Sequence, residues 1–246
     1  MQFEYFSKIK DLLDQVETKE EANINNAIDL MTETILNKKA IYSFGASHAG
    51  ILTQEMFYRA GGLVLINPIF GKEVELSVSP ITLTSKMERC VGYGSIIAER
   101  AHFQADDLLI VHSVSGRNPV TIEVAMAAKK KQAKIIGITN LAYSKSVTSR
   151  HPSNQLLYEI CDIVIDNHGD IGDACISLEN LKQKVAPTST VVGATIVNTI
   201  ISETCKKLIS KGMKTPPIFY SANLDGGDQL NKQIYEEFQK QIHYKF

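Results

Sequence analysis

Five short apolar runs, separated by stretches with helical spacing, constrain this chain more than any other feature. AIYSF (40–44), LVLI (63–66), DLLIVH (107–112), KIIGIT (134–139) and DIVID (162–166) are apolar almost throughout. Runs of this length and character predict strands buried on both faces, the pattern of a parallel sheet. Helical patterns over 48–60, 92–103 and 118–131 stand between them. Such alternation builds parallel sheets through right-handed crossovers. The expected fold class is therefore α/β, a doubly wound five-stranded parallel sheet.

The ends of the chain add helices. Phe3, Phe6, Ile9, Leu12, Leu13 and Val16 recur at three- and four-residue steps, and Ile24, Ile28, Met31, Ile35 and Leu36 continue after a polar break, so two amphipathic helices precede residue 38. Another helix is expected over 189–211, carrying Val192, Ile196, Ile200 and Leu208 and stopping at Lys211-Gly212. A last helical stretch begins at 231, and 67–91, rich in Pro, Ser and Thr, reads as irregular. The 246 residues fit one domain spanning 1–246, with leading helices over 1–37, an α/β core over 38–211, and a tail and helix over 212–246.

Charge and cysteine usage exclude several function classes. With 26 basic against 27 acidic residues there is no broad cationic field for a phosphodiester backbone, so nucleic acid is not an expected partner. Lys129, Lys130, Lys131 and Lys134 are read as complementing a helix C-terminal dipole. Cys90, Cys161, Cys175 and Cys205 form no Cys-x-x-Cys pair and no zinc spacing, so reduced thiols are expected. The amino terminus lacks an apolar leader, and no segment reaches the roughly 18 to 20 apolar residues of a membrane span. The expected location is the cytoplasm, away from any membrane.

Two strand-to-helix loops carry the chemistry. Gly45-Ala46-Ser47-His48-Ala49-Gly50 follows the first strand and opens a helix, a context in which backbone N–H groups converge on an anion. It is no dinucleotide fingerprint, because Ser47 stands where the second glycine belongs and the next strand ends at Asn67 instead of an acid. The second loop, His112-Ser113-Val114-Ser115-Gly116-Arg117-Asn118-Pro119, places Asn118 as an N-cap and Pro119 at the first helical position. Ser113, Ser115, the amides around Gly116 and the Arg117 guanidinium could surround a phosphate monoester. The alternative is a polar turn that only caps a helix.

Together these loops, G-x-S-H-A-G and S-x-S-G-x-x-P, resemble the SIS (sugar isomerase) domain of sugar-phosphate isomerases and binding proteins, over residues 38–211. The resemblance implies a flavodoxin-like sheet, phosphate-binding serines at Ser113 and Ser115, and a first-loop serine at Ser47. It also implies that Thr188-Ser189-Thr190 approaches the sugar, although the segment is equally a good N-cap. The metal-binding His and Glu of phosphoheptose isomerases fall at Thr53 and Phe57, so no metal and no cofactor is expected. Muramic-acid-6-phosphate etherases share Ser-Gly-Arg-x-Pro, and their preceding acidic segment falls near Glu88. The GYG, SGRN, SRH, GDA, TST and SAN-DGGD segments match a small bacterial SIS family labelled phosphosugar isomerases.

The expected function is binding of a phosphorylated sugar or amino sugar, with aldose–ketose isomerisation through an enediol. A non-catalytic sugar-phosphate sensor is the alternative, as is an etherase- or lyase-like enzyme on an amino-sugar phosphate. Isomerisation needs a base, and Glu88, His48 and Glu55 are the candidates, each with a solvated or structural role as its plain alternative. Asp166, Asn167, His168, Asp170 and Asp173 cluster after the fifth strand, but their spacing matches no defined metal site. Arg150-His151 and the Asn223 to Asp228 segment read as turns or rim contacts. The surplus of apolar surface on the two leading helices and the 189–211 helix implies a homodimer or homotetramer.

Overall fold

A computed structural model describes residues 3–245. Five parallel strands form one sheet: β1 (Ile41–Gly45), β2 (Ile66–Pro68), β3 (Leu108–His112), β4 (Lys134–Thr139) and β5 (Ile163–Asp166), in the order β2-β1-β3-β4-β5. The doubly wound α/β expectation is met. Alternation along each strand divides the core in two. Ile41, Leu108, Ile110, Ile136, Ile138 and Ile165 point to one face, Tyr42, Phe44, Leu109, Val111 and Ile135 to the other.

The first face is covered by α1 (Glu4–Lys19), α2 (Glu21–Leu36), α3 (Ile51–Met56), α9 (Ser189–Ser210) and α10 (Gly227–Phe238). The second is covered by α5 (Tyr93–Ala98), α6 (Pro119–Lys130) and α8 (Leu157–Ile160). The remaining helices, α4 (Thr82–Glu88) and α7 (Leu141–Lys145), lie near the loops that follow the strands. Helices on both faces explain why the strands read as unbroken apolar runs. No helix among the described residues is long and apolar enough to cross a membrane.

Several local expectations are corrected. Of the 48–60 pattern only Ile51–Met56 is α-helix, preceded by a 3-10 turn over Ser47–Gly50. The run 63–66 does not lie wholly in the sheet. Leu63 bridges Ile218 of the C-terminal tail, and the Val64 N–H donates to Pro217 O at 2.8 Å, so the tail buries this run at the sheet edge. Segment 67–91 contains α4, and a small antiparallel pair, β6 (Ala174–Ile176) with β7 (Val185–Pro187), was not anticipated. The last helix starts at Gly227, four residues early. On α1, Leu12 and Val16 are buried, but Phe3 before it and Phe6 within it are 64% and 65% exposed, so the apolar stripe continues past what this chain covers.

Candidate functional site

The loops after β1, β3, β4 and β5 gather at the carboxyl edge of the sheet, where open α/β sheets take their ligands. Parallel register pairs Gly45 with His112, which sets the first two loops side by side. The first loop turns tightly: a Cβ on Gly45 would lie 2.3 Å from the Ala49 carbonyl oxygen, so only glycine fits. Ser47 is half-buried and His48 exposed in this turn. Ala49 O lies 3.1 Å from His112 Nδ1, so that nitrogen carries the proton and donates. His112 Nε2 is buried with no partner, and desolvation holds the imidazole below its ordinary pKa, hence neutral.

In the second loop every backbone carbonyl from Ser113 to Arg117 is tied back. Thr139 Oγ1 donates to Ser113 O (2.7 Å), Asn140 N to Val114 O (3.1 Å) and Ser144 Oγ to Ser115 O (3.0 Å). Leu157 N and Arg150 N donate to Gly116 O and Arg117 O, both at 2.9 Å. With Gly116 at φ +59° the peptide units turn their N–H groups the other way. Among the described residues, no protein acceptor meets the N–H groups of Val114, Ser115 or Arg117. Ser113 Oγ accepts from Gly116 N at 3.3 Å and keeps its own proton to give. The outcome is a concave set of donors at the positive pole of α6, suited to an anion.

Asn118 holds the N-cap position of α6, yet its side chain does not cap the helix, contrary to the sequence expectation. It is drawn sideways. Asn118 Nδ2 donates to Glu88 Oε2 at 2.8 Å, and Arg150 Nη1 donates to Asn118 Oδ1 at 2.8 Å. Glu88, half-buried, therefore stands beside the anion loop, although it ends helix α4 instead of lying in irregular chain. Beneath it Glu123, 4% exposed, was missed in the sequence because it looks like one more polar residue on α6. It accepts from Gly92 N (2.5 Å) and Ser95 N (3.2 Å) and lies 3.6 Å from His151 Nε2. The GYG and SRH segments thus meet at one buried carboxylate, and SRH in turn bonds SGRN through Arg150.

The other candidates are placed differently. Thr188 and Ser189 head α9, where Asp173 takes both of their N–H groups (3.1 and 2.8 Å) and the Ser189 hydroxyl (2.6 Å). Thr190 is half-buried beside them. Glu55 pairs with Arg59 and accepts from Asn198 Nδ2 at 2.9 Å. Asn198 is nine residues beyond Ser189, so Glu55 packs about 13 Å along α9 from that helix's first turn.

The acidic cluster after β5 is spent on structure. Asp166 accepts from Leu141 N and His168 N at 3.0 Å, His168 Nε2 bonds Glu20 at 2.9 Å, and Asp170 pairs with Lys8 and Lys184. Lys184 and Lys8 hold the Asp170 carboxyl below the usual range. Among the described residues no group of three His, Cys, Asp or Glu is arranged to hold a metal ion.

A doubly wound parallel sheet with two strand-to-helix loops side by side at its carboxyl edge defines the class. The SIS domain model matches residues 4–140. A UPF0309 protein of Shouchella clausii (strain KSM-K16) is 50% identical over 241 residues, 98% of each chain, and one of Streptomyces coelicolor is 36% identical over 236 residues, 96% of this chain and 94% of its own. A phosphoheptose isomerase of Francisella tularensis superposes with a TM-score of 0.54 at 14% identity, covering 82% of this chain and 95% of that one. A phosphoheptose isomerase of Neisseria gonorrhoeae gives 0.50 at 18%, covering 83% and 95%. The chain belongs to the SIS domain family, alongside these UPF0309 relatives, and the two superpositions show a shared fold.

Proposed function

We propose that this protein binds a sugar phosphate and isomerises it between aldose and ketose. The observation that carries the reading is the Ser113–Asn118 loop, whose carbonyls are held back while the N–H groups of Val114, Ser115 and Arg117 stay open at the pole of α6. That set of donors fits a phosphate dianion, with the Ser113 and Ser115 hydroxyls and Arg117 completing it. The SIS membership and the phosphoheptose isomerases of the same fold support the same ligand class. In this reading Ser47 of the first loop and Thr188 to Thr190 at the start of α9 contact the sugar.

Glu88 is the base in this reading. Asn118 ties its carboxylate to the loop that holds the phosphate end, so the sugar carbons reach it. It takes the proton from the carbon beside the carbonyl and returns it to the neighbouring carbon through an enediol. His48, exposed on the first loop, is the reserve. The four free thiols fit the cytoplasm, and the uncovered Phe3 and Phe6 favour a homodimer or homotetramer.

Ser113→Ala with Ser115→Ala tests the loop. Two hydroxyl bonds to a charged group are worth roughly 1.5 to 3 kcal/mol each, so glucose 6-phosphate affinity falls at least tenfold in calorimetry. Unchanged affinity in the folded double variant removes the loop from the site, and a monomer in light scattering of the same samples overturns the oligomer.

A further inference from the structure

The chain has five arginines among its 26 basic residues, and three of them, Arg89, Arg117 and Arg150, lie in segments that Asn118 and the Arg117 carbonyl tie together, near enough for Arg117 and Arg89 to act on Arg150. They arrive from three separate segments. Arg117 belongs to the loop and is steadied by its Nε donating to Thr148 O at 2.9 Å. Arg150 follows β4, and its backbone N–H and side chain bond Arg117 O and Asn118 Oδ1. Arg89 follows Glu88, which the same Asn118 holds at 2.8 Å. Arg150 is held below the ordinary guanidinium pKa by burial, then by repulsion from Arg117 and Arg89, with Tyr143 and Glu88 opposing.

Of the three, Arg150 is linked to a carboxylate, Glu88, through the shared side chain of Asn118. The nearby Glu123 is occupied by Gly92, Ser95 and His151. Among the described residues none of the three arginines forms an ion pair with a protein carboxylate, whereas Arg59 does. A single phosphate dianion is met by the open N–H groups, the pole of α6 and Arg117. That leaves Arg89 and Arg150 near one another with the Glu88 carboxylate, itself held by Asn118, as the protein's counter-charge. Guanidinium forks are the side chains best matched to a carboxylate or a second phosphate.

We propose that the ligand is a sugar monophosphate bearing a second acidic group, a carboxylate or another phosphate, which Arg89 and Arg150 hold while the loop holds the first phosphate. The inference rests on the sugar-phosphate reading above. It narrows the substrate class to doubly acidic sugars, and it makes Asn118 the joint that sets the second anion subsite against the base.

Calorimetry at fixed salt with inorganic phosphate, glucose 6-phosphate, 6-phosphogluconate and fructose 1,6-bisphosphate tests it. The expected result is that at least one doubly acidic ligand binds ten or more times tighter than glucose 6-phosphate, and the preferred one identifies the second group as carboxylate or phosphate. In Arg89→Gln this advantage shrinks to under threefold, and Arg89→Lys keeps part of it. Arg89 is the cleaner position because its side chain makes no hydrogen bond that folding needs among the described residues; Arg150→Gln serves as the second variant. Equal affinity for glucose 6-phosphate and both doubly acidic ligands overturns the proposal and leaves the phosphate loop standing. Equal weakening of all four ligands by Arg89→Gln also overturns it, because the arginines then serve one phosphate. Failure of all four ligands to bind the wild-type chain overturns the phosphate loop as well.

Discussion

Helices α6 and α9 both begin at the carboxyl edge of the sheet, and the protein treats their positive poles in opposite ways. At α9 the carboxylate of Asp173 takes the Thr188 and Ser189 N–H groups and the Ser189 hydroxyl, so the pole is closed by a built-in anion. At α6 the residue in the N-cap position turns its side chain to Glu88 and Arg150, and the N–H groups of the preceding loop stay open. An N-cap side chain is worth roughly 0.5 to 2 kcal/mol to a helix. Neither N-cap residue caps its own helix, but at α9 Asp173 takes over that task, while at α6 no side chain does, as the proposed anion site requires.

The largest effect that would break this contrast lies at the open pole. If Asn118 is diverted so that Glu88 can act on the sugar, Glu88→Gln should lower turnover by about 10². Phosphate affinity should hardly move, because glutamine can still accept from Asn118. The readout is solvent deuterium exchange at the carbon beside the carbonyl, followed by NMR. Exchange undiminished in the variant removes Glu88 as the base, and no exchange in the wild type with any sugar phosphate that binds favours a sensor.

At the closed pole the effect should appear in stability. Asp173→Ala strips α9 of its acceptor and should lower the unfolding free energy by about 1 to 2 kcal/mol, as for other lost caps. Denaturant melts measure it. Glucose 6-phosphate affinity, measured alongside, should stay within threefold of wild type. A large loss of binding with unchanged stability would instead make Asp173 part of the ligand site.

The contrast also marks how far the sequence could be read. The strands were legible because both faces are buried, as at Leu108 to Val111, where every side chain is apolar and alternate residues feed opposite cores. β6 and β7 were not, since three residues give no period to detect. The run 63–66 was read as strand because burial by a tail and burial by a sheet look alike in composition. In the site, the Ser113 to Asn118 loop was legible from its place between a strand and a helix. What Asn118 does there was not: its partners Glu88 and Arg150 lie 30 and 32 residues away, and local spacing makes any such Asn a cap. Asp173 was visible as an acid in a tempting metal cluster, but its task depends on residues 15 and 16 positions later. Glu123 gave no signal because it is one more polar residue on α6, and His112 gave none because it closes an otherwise apolar strand.

His112 gives the smallest expected effect and the sharpest test of how the two poles are joined. It lies at the end of β3, donates to Ala49 O of the first loop 63 residues away, and feels the Asp173 charge from the α9 side. Burial dominates, so its folded pKa lies below the ordinary histidine value and the ring stays neutral. A histidine with a depressed folded pKa contributes stability that is present above the unfolded pKa and lost as pH falls. The unfolded chain takes up the proton first, so between pH 7 and 5.5 the wild type should lose roughly 1 kcal/mol through this residue. His112→Asn, whose amide nitrogen can replace Nδ1 toward Ala49, should remove that part of the pH slope and keep the first loop ordered. His112→Gln, which cannot place a donor there as directly, should also speed amide hydrogen exchange over residues 45–50. Parallel pH profiles in the wild type and His112→Asn would mean that His112 titrates in the native state, and the neutral joint between the loops would fall.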